Sequence, residues 1–395
     1  MNHAQRFARV SAAEIARRHG LLADLCALHR LGAIVTLGNE DDMSGYVRWF
    51  TDEPVSSYRT AVAYLPGEGM SVVEHGSRGG RSDHDPADES YRGVFEIHTV
   101  ASFQSAAFTS DCEAVSLASA LRRHGLRRIG IAGLLQMPHA FVQALGRELD
   151  GAAFIDVTDA VDAMMVVKSA EELDLIRAAA ELQDQVFAEV LRHLRPGMRE
   201  IDVTAVARAA SLRLGGAGGV ILAGSAPQGS FAPFNSPFNQ ARVIGEGDYV
   251  SLLIENAGPA GYFTEIARNI SFGKAQQCLI DASGTALDLR NRILPEIVAG
   301  ASCPEIFARH NAQRAAFGLE AENRVFAHGQ GYFLVERPII RDDEPMVLAA
   351  NMNLAVHPTL ADGTTTFAVV CDNFLLDKTG KARRIHKTEE RVFEV

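Results

Sequence analysis

Near residue 165 the spacing of apolar residues changes, and that change commits the chain to two dissimilar units. Ser169-Ala170-Glu171-Glu172 is a capping box, in which serine and glutamate each satisfy a backbone N–H left open at a helix start. Leu173, Ile176, Ala180, Phe187, Val190 and Leu194 follow at helical spacing, which predicts a long helix ending at Arg195-Pro196-Gly197. A second helix runs from Ile201 and closes at Gly215-Gly216. Beyond it come strand pairs, 249–254 with 262–272 and 352–356 with 366–376. Helices are expected between them over 280–297 and 304–317.

The first ~160 residues read as alternating helices and strands. Ser11 caps a helix over 12–29, with Glu14 completing a second capping box. A strand over 33–37 follows, and 60–65 and 70–74 flank the hairpin signal Pro66-Gly67-Glu68-Gly69. Residues 76–90 are polar and read as a loop. A helix over 113–124 stops at Gly125, strands are expected at 128–132 and 153–157, and Pro138 opens a helix reaching 149. The expected organisation is an α/β domain over 1–165 and an α+β domain over 166–395.

A formal charge of −11 argues against nucleic acid or an anionic membrane as partner. The five cysteines form no Cys-x-x-Cys pair, which favours a reducing compartment over a disulfide framework. The polar, charged N-terminus lacks an apolar signal core, and no apolar run approaches ~18 residues. A cytoplasmic protein is expected.

The chemistry concentrates in the second unit. In Ala327-His328-Gly329-Gln330-Gly331-Tyr332-Phe333-Leu334-Val335-Glu336-Arg337-Pro338, small residues let backbone approach whatever the imidazole binds, and Glu336 supplies a second polar group. Three further segments accompany it. They are Gly247-Asp248-Tyr249-Val250 with its partner Gly261-Tyr262-Phe263-Thr264-Glu265-Ile266-Ala267-Arg268, then Met352-Asn353-Leu354-Ala355-Val356-His357-Pro358, then Phe367-Ala368-Val369-Val370-Cys371-Asp372.

In this order, after the helix beginning Lys168-Ser169, these motifs resemble the pita-bread family of methionine aminopeptidase, aminopeptidase P, prolidase and creatinase. The resemblance covers about residues 160–395, and the preceding α/β domain is similar to that of the two-domain creatinase and prolidase branch. In its metallopeptidase members the resemblance implies two divalent metals held by two Asp, one His and two Glu. Those positions fall here on Leu253, Glu265, His328, His357 and Cys371, while the family's second histidine falls on Val335. Glu255 is not expected to substitute for Leu253, because neighbouring strand residues alternate faces. Two hard cations need bridging carboxylates, so a dinuclear Mn or Co centre is not expected.

Three functions follow as alternatives. The first is a creatinase-like hydrolase without the dinuclear centre, cleaving a C–N bond in a small non-peptide or modified amino-acid-like substrate. His328 and His357 would then act as acid and base, with Glu265 and Glu336 orienting them. Creatinase's own histidine falls on Phe234 and its carboxylates on Ala267 and His357, so creatine itself is not expected. The loop phenylalanines Phe231, Phe234 and Phe238 are candidates for an apolar pocket wall, or for core packing.

The second is a single-metal hydrolase or lyase, as in the family's dimethylsulfoniopropionate lyase branch, with one Zn-like transition metal on Glu265, His328, His357 and Cys371. The third is an inactive binding module on the same fold. In the enzyme readings Arg268 or Arg337 would anchor a substrate acid group. By resemblance to creatinase-type homodimers, Trp49, Tyr58 and Arg59 would reach a neighbour's substrate; core packing of Trp49 and solvent exposure of Arg59 are the plain alternatives. Cys303, before Pro304 at a helix start, is either a stabilised thiolate or an ordinary buried thiol.

Overall fold

A computed structural model describes residues 9–39, 45–55, 57–361 and 366–395. Among them the chain forms two compact units, Arg9–Met165 and Val166–Val395.

The first unit is a seven-stranded mixed sheet. Its spatial order is Gly80–Asp83, Val94–Val100, Gly69–His75, Arg59–Leu65, Ala33–Asn39, Arg128–Ile131, Ala153–Asp156. The Pro66–Gly69 signal does join two antiparallel strands, and Arg128–Ile131 lies parallel to Ala33–Asn39. Val35, Leu37, Ala61 and Ala63 meet Leu117 and Leu121 of helix Cys112–Arg122 and Phe141 and Leu145 of helix His139–Glu148. Ser11 Oγ accepts the Glu14 N–H at 3.1 Å at the start of helix Ala12–His29. The polar segment 76–90 differs from expectation, because Gly80–Asp83 forms a fully exposed edge strand on Val94–Val100. Its polar side chains suit a sheet edge, where charge discourages further pairing.

In the second unit, the Ser169 capping box is complete. Ser169 Oγ accepts the Glu172 N–H, and the Glu172 carboxylate accepts the Ser169 N–H at 2.7 Å. Helix Ala170–His193 and helix Glu200–Arg213 cover one face of a sheet ordered Phe393–Glu394, Phe263–Ser271, Asp248–Ala257, Gly219–Pro227. Ile221, Leu252, Ile254, Ile266 and Ile270 bury that face against Leu182, Val186, Phe187, Val203 and Ala207. Each fully buried aliphatic side chain contributes roughly 1.5–3 kcal/mol. The other face carries Leu253, Glu255, Glu265 and Ala267, since side chains two apart share a face and cross-strand partners align.

A second sheet is ordered Glu336–Ile339, Ala327–Gly329, Asn353–Val356, Asp372–Leu376, Ala382–Arg384. Ala327, Leu354, Val356, Phe374 and Leu376 pack on Ile293, Ile297, Cys303 and Ile306 from the region of helices Gln277–Ile293 and Cys303–Ala316. Its opposite face bears the cross-strand row His328, Ala355, Asn373.

The expected single strand over 366–376 is two. Phe367–Val369 pairs with Thr359–Ala361, Asp372–Leu376 pairs with Asn353–Val356, and Cys371 between them bridges Ala267 of the first sheet. Asp372 fixes this crossing, because Arg268, Arg290 and Arg384 all reach its carboxylate. His310 is fully buried and stacks on Phe326 with ring centroids 3.8 Å apart. No helix among the described residues is long and apolar enough to cross a membrane.

Candidate metal centre

The two inner faces bring Glu265, His328 and His357 together. His328 occupies the middle of strand Ala327–Gly329, between Ala355 and Ile339 on the flanking strands. Gly329 beside it admits no side chain, since a Cβ there would lie 2.1 Å from the Arg337 carbonyl oxygen. His328 Nδ1 stands 2.8 Å from the Gly329 carbonyl, an acceptor only, so Nδ1 is assigned the hydrogen and Nε2 presents a lone pair. His357 lies two residues beyond Ala355 on the same side, and its backbone N–H donates to the Phe326 carbonyl at 2.8 Å. Glu265 is fixed in mid-strand by its own N–H, which donates to Asn373 Oδ1 at 2.6 Å.

Both imidazoles converge on one oxygen. His328 Nε2 is 3.6 Å and His357 Nε2 4.0 Å from Glu265 Oε2, and the three candidate donor atoms lie within 4.8 Å of one another. These separations exceed hydrogen-bond length. Two ligands at ~2.1 Å on tetrahedral vertices stand about 3.4 Å apart, so shifts of tenths of an ångström would seat one ion. Two histidines and a glutamate form an established catalytic-zinc ligand set that leaves a position open.

A second carboxyl, Glu255, stands directly opposite Glu265 across the strand pair. Burial and the facing Glu265 charge push the Glu255 carboxyl well above the usual carboxylate range, against the hydrogen bond from Gln330. Burial also raises Glu265, but the facing His357 and His328 imidazoles outweigh it and hold that carboxyl at about 2. Burial lowers His357 to about 4, against the attraction of Glu265. At neutral pH the cluster therefore holds the Glu265 carboxylate and a neutral His357, the form in which imidazole ligates metals.

Gln330 and Asn373 set these groups in place. Gln330 Nε2 donates to Glu255 Oε1 at 2.8 Å and to the Leu334 carbonyl, while its Oε1 accepts from Asn373 Nδ2 at 2.8 Å. Asn353 donates to the Gln330 carbonyl and accepts from Asn373. Every member is buried, so each unmet bond would carry a desolvation cost.

Residues 174–384, more than half of the chain, match metallopeptidase family M24. The chain belongs to that family. Among curated relatives, it is 22% identical over 270 residues to an Xaa-Pro dipeptidase of Pyrococcus horikoshii, covering 68% of this chain and 75% of the relative. It is 26% identical over 233 residues to a Bacillus creatinase, covering 54% of each. The prolidase structure from Pyrococcus horikoshii superposes with a TM-score of 0.74 at 17% identity, over 94% of this chain and 99% of that one. An X-Pro aminopeptidase from Thermotoga maritima gives 0.76 at 17% identity, over 95% and 99%. These likenesses fix the fold as the pita-bread domain preceded by the smaller α/β domain.

Two of the ligand positions implied by the family resemblance carry other side chains, Leu253 and Cys371. Leu253 faces the centre with a hydrocarbon side chain. Cys371 does not join the ligand cluster: its thiol donates to the Glu265 carbonyl at 3.7 Å, and burial raises it well above the ordinary thiol range. Among the described residues, the metal-capable group is therefore Glu265, His328 and His357.

The strand register places Glu255 at the centre, contrary to expectation. Glu255 lies two residues from Leu253, not one, so strand alternation puts both on the same face. Gln330, inside the histidine run, carried no signal beyond its position.

Several expected site residues are committed elsewhere. Glu336 does not orient a histidine: it accepts from Lys168 Nζ at 2.6 Å and from the Tyr332 N–H at 2.7 Å, tying down the loop after His328. Arg268 cannot anchor a substrate acid, because its five N–H groups reach the Glu389, Ala267, Cys371 and Thr388 carbonyls and Asp372. Arg337 forks onto Glu344. In the first unit, Arg59 is buried against Glu113 at 3.2 Å rather than exposed, Tyr58 stands edge-on to His75 and Phe103, and Trp49 is core. Phe234 does reach the neighbourhood, packing beside Leu253 and Ala267. Burial raises Cys303 to about 12, which outweighs its helix start and leaves a structural thiol.

Proposed function

We propose that this protein is a hydrolase that cleaves a C–N bond in a small amino-acid-like substrate, at a centre holding one transition-metal ion. The ion, Zn²⁺ or a similar borderline metal, would be held by His328, His357 and Glu265. The convergence of both Nε2 atoms on Glu265 Oε2, beyond hydrogen-bond length, carries this conclusion. It also favours one ion over a metal-free site, where an acid/base histidine would hydrogen-bond its orienting carboxylate. When bound, such an ion supplies Lewis-acid polarisation of a carbonyl or amidine group.

The chain's own groups supply the rest. Glu265 keeps the negative charge, and the Gly329 carbonyl orients His328. Glu255, whose carboxyl burial and the facing Glu265 push towards the protonated form, is held by Gln330 Nε2 and would deliver a proton to the leaving nitrogen. The homodimer expected from the resemblance to creatinase and the cytoplasmic setting expected from the cysteines belong to the same proposal.

Amine release from a panel of dipeptides, N-acyl amino acids and guanidino acids tests it on Zn²⁺- or Mn²⁺-loaded protein. Turnover of at least one class is expected, falling on the order of 100-fold in Glu255→Gln as general-acid assistance is lost. Absence of turnover on every class, with the ion bound, would overturn the hydrolase assignment.

A further inference from the structure

The register of the first sheet arranges the inner face in rows. One row is Val220, Glu255, Glu265, and the next is Leu222, Leu253, Ala267, extended by the bridge from Ala267 to Cys371. The first row carries two carboxyl groups beside Val220. The second is hydrocarbon and thiol from end to end, although it lies only two residues away along each strand.

The second row belongs to an apolar cluster that also contains Ala355, Phe367 and Val369, with half-buried Leu222, Phe231 and Phe234 packed against it. Phe231 and Phe234 stand edge-on to Phe367, with centroids 5.6 and 5.1 Å away. Leu253 keeps 8% of its surface exposed, while Leu252 and Ile254, which point to the opposite face, keep none. Ala267 and Ala355, small side chains drawn from the two sheets, line the same cluster. A second ion would need carboxylates from the Leu253 and Cys371 positions, and hydrocarbon there makes ion binding costly and apolar contact favourable.

We infer that the Leu253–Ala267 row, with Leu222 and Phe234 at its edge, binds a compact apolar group of the substrate beside the scissile bond. The substrate class is then a small acyl or aminoacyl compound with a short, branched aliphatic group, its hydrocarbon occupying the side of the centre opposite Glu255. The inference rests on the one-ion function proposed above.

Hydroxamates separate the two claims, because the hydroxamate head chelates an ion whatever hydrocarbon it carries. Acetohydroxamate, isobutyrohydroxamate and isovalerohydroxamate would be titrated by calorimetry into tag-free protein carrying Zn²⁺. The expected result is a gain of about fourfold in affinity per added carbon, on the order of tenfold from acetyl to isobutyryl. Leu253→Asp is expected to abolish the gain while acetohydroxamate still binds. Phe234→Ala, a change in a half-buried loop, is expected to shrink it several-fold without loss of folding. Combining Leu253→Asp with Cys371→Glu is expected to raise bound metal from one equivalent towards two. Equal affinity across the series in a protein that binds acetohydroxamate would overturn the apolar subsite and leave the one-ion centre standing. A protein that takes up no ion would overturn both.

Discussion

Glu265 and Arg268 lie three residues apart on one strand and therefore on opposite faces, and each is the heart of a buried charge cluster. Around Arg268 the buried carboxylate is gripped by three guanidiniums. Asp372 accepts from Arg268 at 2.7 Å, from Arg290 at 2.5 Å and from Arg384 at 3.0 Å, and these guanidiniums hold its carboxyl well below the usual range despite full burial. Around Glu265 the contacts stop short: two imidazoles wait at 3.6 and 4.0 Å and a second carboxyl faces it. Closed charge clusters hold the sheets in register, whereas one with gaps of ligand size is what a site leaves for something to enter.

The largest expected effect is on the closed cluster. Asp372→Ala strands buried Arg268 and Arg290 without their carboxylate, and removing one partner of such a pair costs about 3–5 kcal/mol. Urea unfolding should show that loss, and an unchanged midpoint would break the contrast.

Next is the response to acid. Asn373 N–H donates to His386 Nδ1, and His386 Nε2 donates to Gln183 Oε1, so the folded state needs this imidazole neutral. Burial lowers it from 6.5 to about 4, and His357 likewise. The unfolded chain then binds more protons in this window. Stability is full above pH 6.5 and falls as pH drops towards 4, by up to about 1.4 kcal/mol per pH unit for each histidine. Unfolding of metal-free protein at several pH values checks this, and a flat profile would contradict it.

Smaller effects are expected from the open cluster. Glu265→Gln removes a carboxylate facing another carboxyl, so stability should change by less than about 1 kcal/mol while ion binding is lost. Arg337, partly exposed and paired with Glu344, should cost at most about 1 kcal/mol as Arg337→Ala. Its replacement should also leave substrate KM unchanged, because its guanidinium serves Glu344.

The sequence carried the fold at positions where local rules are strong. The Ser169 capping box, the Pro66–Gly69 hairpin and the long hairpin bearing Glu265 are each set by neighbours in the chain, and the order of motifs supplied the family. His328, Glu265 and His357 were legible as polar groups at ligand positions. Glu255 was visible as well, once strand parity is counted in twos.

Arg268 and Glu336 were not legible as structural residues, because their partners Asp372 and Lys168 lie 104 and 168 residues away. Nothing local distinguishes an arginine that binds substrate from one that locks two sheets. The same holds for Cys371, whose metal-capable sulfur is spent on the Glu265 carbonyl and an apolar row from both sheets.

Metal content tests the central claim most directly. Tag-free protein, stripped with chelator, reloaded with excess Zn²⁺ and desalted, should retain about one equivalent by elemental analysis. His328→Ala, His357→Ala and Glu265→Gln should each lose it, while Cys371→Ser should keep it. Two equivalents in the unmodified protein, or none, would contradict a centre built for a single ion.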